Sequence, residues 1–130
     1  MACLVACLGS DTENWESIIK IINSKLFSNI YLITDDYGIK NFSNNKYISG
    51  YNVNSFIKMD FKKPVDELMI DIYVALKKKF SENKILELDI AVNISSGTGK
   101  EHTAIISAIT KLGMGIRLIE VDSKGEVIEL

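Results

Sequence analysis

Two cysteines, one proline, one histidine and one arginine are all that this 130-residue chain has of those residue types; the single proline argues against long disorder, and the other scarcities each remove a class of function. Cys3 and Cys7 lie four positions apart in an apolar run that reads as a strand. At about 3.3 Å per residue they stand roughly 13 Å apart, too far for a disulfide, so buried thiols are expected. A single histidine on a different element from the cysteines offers no zinc spacing, and neither metal nor cofactor is predicted. With Arg117 the lone arginine and a net charge of −2, the chain lacks the basic face that duplex DNA selects. Any phosphate site must then use backbone amides, hydroxyls and lysine. No apolar run approaches the roughly 20 residues of a membrane span, and Met1 to Gly9 lacks the basic start of a secretion signal. The expectation is a cytoplasmic chain with no membrane partner.

What is present is ordinary for a folded domain: 47% hydrophobic and 25% charged residues, with eight glycines. A single domain over residues 1–130 is the expectation from length. Ala2 to Leu8 forms an apolar run, after which Trp15, Ile18, Ile19, Ile22 and Leu26 recur at helical spacing. Asn29 to Thr34 reads as a second buried strand closed by Asp35, Asp36 and Gly38. The asparagine-rich stretch from Tyr37 to Asn54 carries no sustained period beyond a short helix near Ile39 to Ser43.

Ser55 to Phe61 predicts a third strand, and Pro64 opens a helix whose apolar face is Val65, Leu68, Met69, Ile72 and Leu76. Leu88 to Asn93 predicts the fourth strand. A helix from about Thr98 follows, with Ala104, Ile105, Ala108, Ile109 and Leu112 on one side and Gly113 as its stop. Gly115 to Val121 and Val127 to Leu130 complete the chain as an antiparallel hairpin. Apolar strands alternating with amphipathic helices specify a Rossmann-like, doubly wound α/β domain with a mainly parallel sheet and a C-terminal antiparallel hairpin. Ligands of such sheets bind beyond the carboxyl ends of the strands, where strand order reverses.

Two loops carry the polar chemistry there. Gly9, Ser10, Asp11 and Thr12 follow the first strand, and Asn93-Ile94-Ser95-Ser96-Gly97-Thr98-Gly99-Lys100 follows the fourth. Glycines permit close approach, N–H groups at a helix start stabilise phosphate oxygens, and Lys100 adds positive charge. Individually, Ser10, Asp11 or Thr12 and Ser96 or Thr98 also suit helix capping. Two familiar phosphate motifs fail. A P-loop needs Gly at 94 and Ser or Thr at 101, where Ile94 and Glu101 stand, and a dinucleotide fingerprint needs Gly at the place of His102. His102, the only histidine, is of a type suited to proton transfer, but it sits inside the predicted helix, where a surface or core role is the plainer expectation. Asp35 and Asp36 suit a ribose hydroxyl or, more simply, a strand-to-turn boundary.

The order of elements, the Asn93-Ile94-Ser95-Ser96-Gly97-Thr98 run and the small polar loop after the first strand together resemble the CRISPR-associated Rossmann fold (CARF) domain. Many members of that family continue the run directly with Lys or Arg; here Gly99 takes that place and Lys100 follows. The resemblance implies a homodimer whose paired loops form one symmetric pocket for a cyclic oligoadenylate, tetra- or hexa-adenylate. It also implies the ligand residues: Gly9, Ser10, Asp11 and Thr12, and Asn93, Ser95, Ser96, Gly97, Thr98, Gly99 and Lys100. Members usually carry a C-terminal helix-turn-helix or nuclease as well; the expectation here is a single CARF-like domain over residues 1–130 with no effector domain. Two activities fall within the resemblance. One is sensing alone; the other is metal-independent cleavage of the ring to linear products ending in 2′,3′-cyclic phosphate, with Ser10 and Lys100 as the catalytic pair. Rival expectations are a regulatory module that pairs with a separate effector protein, and an unrelated Rossmann-like nucleotide binder.

Overall fold

In a computed structural model, which describes residues 2–42 and 55–130, six strands form one sheet in the order β3-β2-β1-β4-β5-β6. In chain order the elements are β1 (Ala2–Cys7), α1 (Trp15–Asn23), β2 (Phe27–Thr34), α2 (Asp36–Phe42), β3 (Ser55–Lys58) and α3 (Val65–Glu82). They continue with β4 (Asp89–Asn93), α4 (Gly99–Lys111), β5 (Gly115–Val121) and β6 (Val127–Glu129). The first five strands run parallel, and β6 turns back antiparallel on β5. This is the Rossmann-like architecture that the apolar runs specify.

β1 is central and buried on both sides, so its alternate residues serve two cores. Cys3, Val5 and Cys7 face Leu68, Ile72, Leu76 of α3 and Ala104, Ile105, Ala108, Ile109 of α4. Leu4, Ala6 and Leu8 face Trp15, Ile18, Ile21, Ile22 of α1 and Phe42 of α2. Each fully buried Leu or Ile stabilises by about 1.5–3 kcal/mol relative to exposure, which fixes the register of β1 because a slip by one residue would exchange the two faces.

Several boundaries differ from the sequence pattern for local reasons. The first helix stops at Asn23 rather than reaching Leu26, because Lys25 takes a left-handed conformation (φ 59°) and Phe27 already enters β2. β3 ends at Lys58, short of the expected Phe61; one further bond, Met59 N–H to the Thr34 carbonyl at 2.7 Å, closes the pairing. α2 begins at Asp36, three residues early, since the Asp35 carboxylate accepts the Gly38 N–H at 3.0 Å. The expected end of that helix at Ser43 and the asparagine-rich stretch 43–54 lie outside the described residues. Among the described residues no helix is long and apolar enough to cross a membrane.

Candidate functional site

Strand order reverses between β1 and β4, whose parallel pairing sets Leu4 beside Ala91 and Ala6 beside Asn93. The loops after both strands therefore emerge side by side, and they are tied together. The Gly9 N–H donates to the Ser96 hydroxyl at 2.8 Å, and that hydroxyl donates to Asp11 Oδ1 at 2.6 Å. The same Oδ1 accepts the Gly97 N–H at 3.0 Å, while Oδ2 accepts from the Asn14 side chain at 2.7 Å. Trp15 Nε1 closes the base of the first loop on the Gly9 carbonyl at 3.0 Å. Burial pushes the Asp11 carboxyl up, but the bonds from Asn14, Ser96 and Gly97 outweigh it and hold the group below its ordinary value of 3.8. The Asp11 side chain is thus a clasp between loops; the residue stands at the N-cap of the short 3-10 helix Thr12–Asn14, but its carboxylate makes no cap bond there.

The rest of the second loop is anchored in the same manner. Asn93 is fully buried, donating to the Ile119 carbonyl and to Ser95 Oγ, each at 2.8 Å. The Ser95 hydroxyl donates to Glu120 Oε1 at 2.6 Å. Thr98 takes an extended backbone as N-cap of α4, and the buried Glu101 accepts both its N–H, at 3.2 Å, and its hydroxyl. With the Glu101 N–H turned to the Thr98 side chain, the Glu101 bond to the Thr98 N–H completes a capping box, which satisfies two backbone donors at the helix start. It leaves the N–H groups of Gly99 and Lys100, for which an α-helix has no internal partner, at the mouth of the loop.

The expected site residues consequently divide into two sets. Asn93, Ser95, Ser96, Thr98 and Asp11 have side chains committed to one another or to Glu101 and Glu120, so they shape the loops. Ser10, Thr12 and Gly99 are exposed at the rim, and Gly9 and Gly97 supply backbone where the loops touch. Lys100 is half-buried and donates from Nζ to the Phe61 carbonyl in the loop after β3. A neutral carbonyl leaves the ammonium charge uncompensated, and among the described residues Lys100 has no ion pair. Phe61 also lines an open cleft of about 530 Å³ with Asp35, Asp36, Tyr37 and Lys58, where Lys58 and Asp36 pair at 2.9 Å.

Glu120 and the role of His102 escape sequence reasoning. Glu120 lies one residue before the end of β5, and the rule that ligands meet the carboxyl ends of parallel strands is the signal that points to it. His102 Nε2 lies 2.7 Å from the Ser96 carbonyl, so the ring packs under the loop. The two thiols are unreactive by position. Burial pushes Cys3 up to about 12 and also raises Cys7, which sits near Glu101, Asp11 and Asp35. Among the described residues no three His, Cys, Asp or Glu side chains gather as a metal-binding set.

No protein-family model matches the sequence, and no curated protein shows significant similarity to it. Solved structures do match. Enterococcus italicus Csm6, bound to cyclic hexa-2′-fluoro-hexa-dAMP, superposes with a TM-score of 0.60 at 16% identity, over 95% of this chain and 34% of that one. Protein VC1899 from Vibrio cholerae superposes with a TM-score of 0.55 at 12% identity, over 98% of this chain and 33% of that one. The shared property is the fold. This chain spans about a third of the length of either protein.

Proposed function

We propose that the chain is a CARF-type domain that binds a cyclic oligoadenylate at the carboxyl ends of β1 and β4. The observation that carries this reading is the locked pair of loops at the strand-order reversal, Gly9 to Ser96 and Asp11 to Gly97, with the start of α4 directly after the second loop and Lys100 reaching from it to the Phe61 carbonyl. Its support from outside the chain is the fold shared with a cyclic-oligonucleotide-bound Csm6. A ring of phosphates and ribose hydroxyls with no free end matches a rim of amides, hydroxyls and one unpaired ammonium. Two chains related by a dyad would double that donor set, which offsets the scarcity of arginine.

Ring cleavage is the second reading, favoured by the uncompensated charge of Lys100. In it the ribose 2′-oxygen attacks the adjacent phosphorus, the bond from phosphorus to the 5′-oxygen breaks, and the 2′-hydroxyl proton leaves as that oxygen is protonated. The products are a 2′,3′-cyclic phosphate and a 5′-hydroxyl. Lys100 stabilises the charge that develops on the phosphorane, and Ser10 orients the reacting groups.

Incubating the purified protein with cyclic tetra- and hexa-adenylate in the presence of a chelator, and resolving the products, tests both. Intact ring with a raised melting temperature supports sensing; linear product supports cleavage. Neither effect with either ring refutes the proposal, and a requirement for a second protein would support the effector-pairing alternative.

A further inference from the structure

The bonds to Asp11 and His102 meet on a single peptide unit. The carbonyl of Ser96 and the N–H of Gly97 belong to the same plane; the first lies 2.7 Å from His102 Nε2 and the second donates to Asp11 Oδ1 at 3.0 Å. An acceptor therefore grips one end and an imidazole the other. For the contact at 2.7 Å to be a hydrogen bond, Nε2 must carry the proton, since a lone pair there would face the carbonyl lone pairs.

This peptide has an alternative orientation. Gly97 sits at φ +99°, and glycine visits both signs of φ, so a flip that changes ψ of Ser96 and φ of Gly97 meets little steric resistance from Gly97 itself. The flip would turn the Ser96 carbonyl oxygen toward the Asp11 carboxylate and the Gly97 N–H toward the ring. Packing reinforces the choice: a Cβ on Gly97 would lie 2.7 Å from Cys7 Sγ and 3.2 Å from His102 Nε2, so no residue with a side chain fits between them.

We propose that His102 is a positioning residue, whose Nε2–H acts with Asp11 to select one orientation of the Ser96–Gly97 peptide and hence the polar groups that the loop presents to a ligand. The effect on affinity rests on the cyclic oligoadenylate reading; the effect on the peptide does not. His102 touches no ligand in this scheme and transfers no proton.

The test compares wild-type protein with His102→Phe, which keeps a flat ring without the donor, and His102→Gln, which returns a donor. Nitrogen-15 spectra of the free wild-type protein are expected to show a proton on His102 Nε2. In His102→Phe the Gly97 amide should lose at least about tenfold of its hydrogen-exchange protection, and cyclic hexa-adenylate should bind at least about tenfold more weakly. His102→Gln should recover both to within about threefold. A wild-type ring protonated at Nδ1 alone, unchanged Gly97 protection in His102→Phe, or no recovery in His102→Gln would overturn the proposal. Wild-type protein that binds neither ring would refute the ligand reading, with the tautomer and the Gly97 amide still deciding the role of His102.

Discussion

The Ser96 hydroxyl donates to Asp11 Oδ1 at 2.6 Å while accepting the Gly9 N–H at 2.8 Å, which joins two loops separated by 87 positions in sequence. One small side chain thereby welds the ends of β1 and β4. Because the donors are an amide and a hydroxyl and the terminal acceptor is a carboxylate, the weld depends on charge at Asp11. That dependence has a measurable sign.

Asp11 has its folded pKa held below 3.8, so the folded state binds its proton less readily than the unfolded state. The contribution is complete at neutral pH and is lost as pH falls below 3.8 through the lower folded value. Asp11→Ala should cost about 1–2 kcal/mol at pH 7, the worth of charge-assisted bonds discounted for partial exposure. In urea titrations, the gap between wild type and variant should stay level from pH 7 to 5 and narrow below about pH 4. A gap that is constant down to pH 3 would remove the carboxylate charge from the clasp.

Gly97 and Gly99 make a contrasting pair. Gly97 combines φ +99° with a Cβ position 2.7 Å from Cys7 Sγ, whereas a Cβ on Gly99 meets nothing within 4 Å. Gly97→Ala should destabilise by about 2 kcal/mol or more from backbone strain and overlap together, a fall of roughly 5–10 °C in melting temperature. Gly99→Ala, in the first turn of α4, should move it by no more than about 2 °C. Equal effects in calorimetry would mean that the loop does not hold Gly97 against Cys7.

Lys100 presents its ammonium to a carbonyl and not to a carboxylate, so its removal should spare the fold. Lys100→Ala is expected to weaken cyclic oligoadenylate binding by about tenfold, or about 1.4 kcal/mol, and to flatten the salt dependence of what remains. If the ring is cleaved, the single-turnover rate should also drop at least about tenfold. Titrations with unchanged affinity, salt slope and rate would take this lysine out of the site.

The fold was legible because its strands are short apolar runs and its helices keep one apolar face, as in Ala104, Ile105, Ala108 and Ile109. The meeting of the two loops was legible only on the condition that the first and fourth strands are neighbours, since doubly wound sheets also place the first beside the third; the pairing of β1 with β4 meets that condition. Element ends were less so, because single backbone events decide them, such as the left-handed Lys25 or the Asp35 cap on Gly38. The partners of the hydroxyls were not legible. Ser95 finds Glu120 across 25 positions and Ser96 finds Asp11 across 85, and pairings of that range leave no periodic trace. His102 reads as a helix residue because its position in α4 says nothing of a ring turned back beneath Ser96.

Calorimetric titration of the purified protein with cyclic tetra- and hexa-adenylate, under conditions that prevent turnover, tests the central claim most directly. Saturable binding of one of the two rings at one ring per two chains is expected, as a dyad-centred pocket requires. Absence of binding to both, or saturation at one ring per chain, would contradict it.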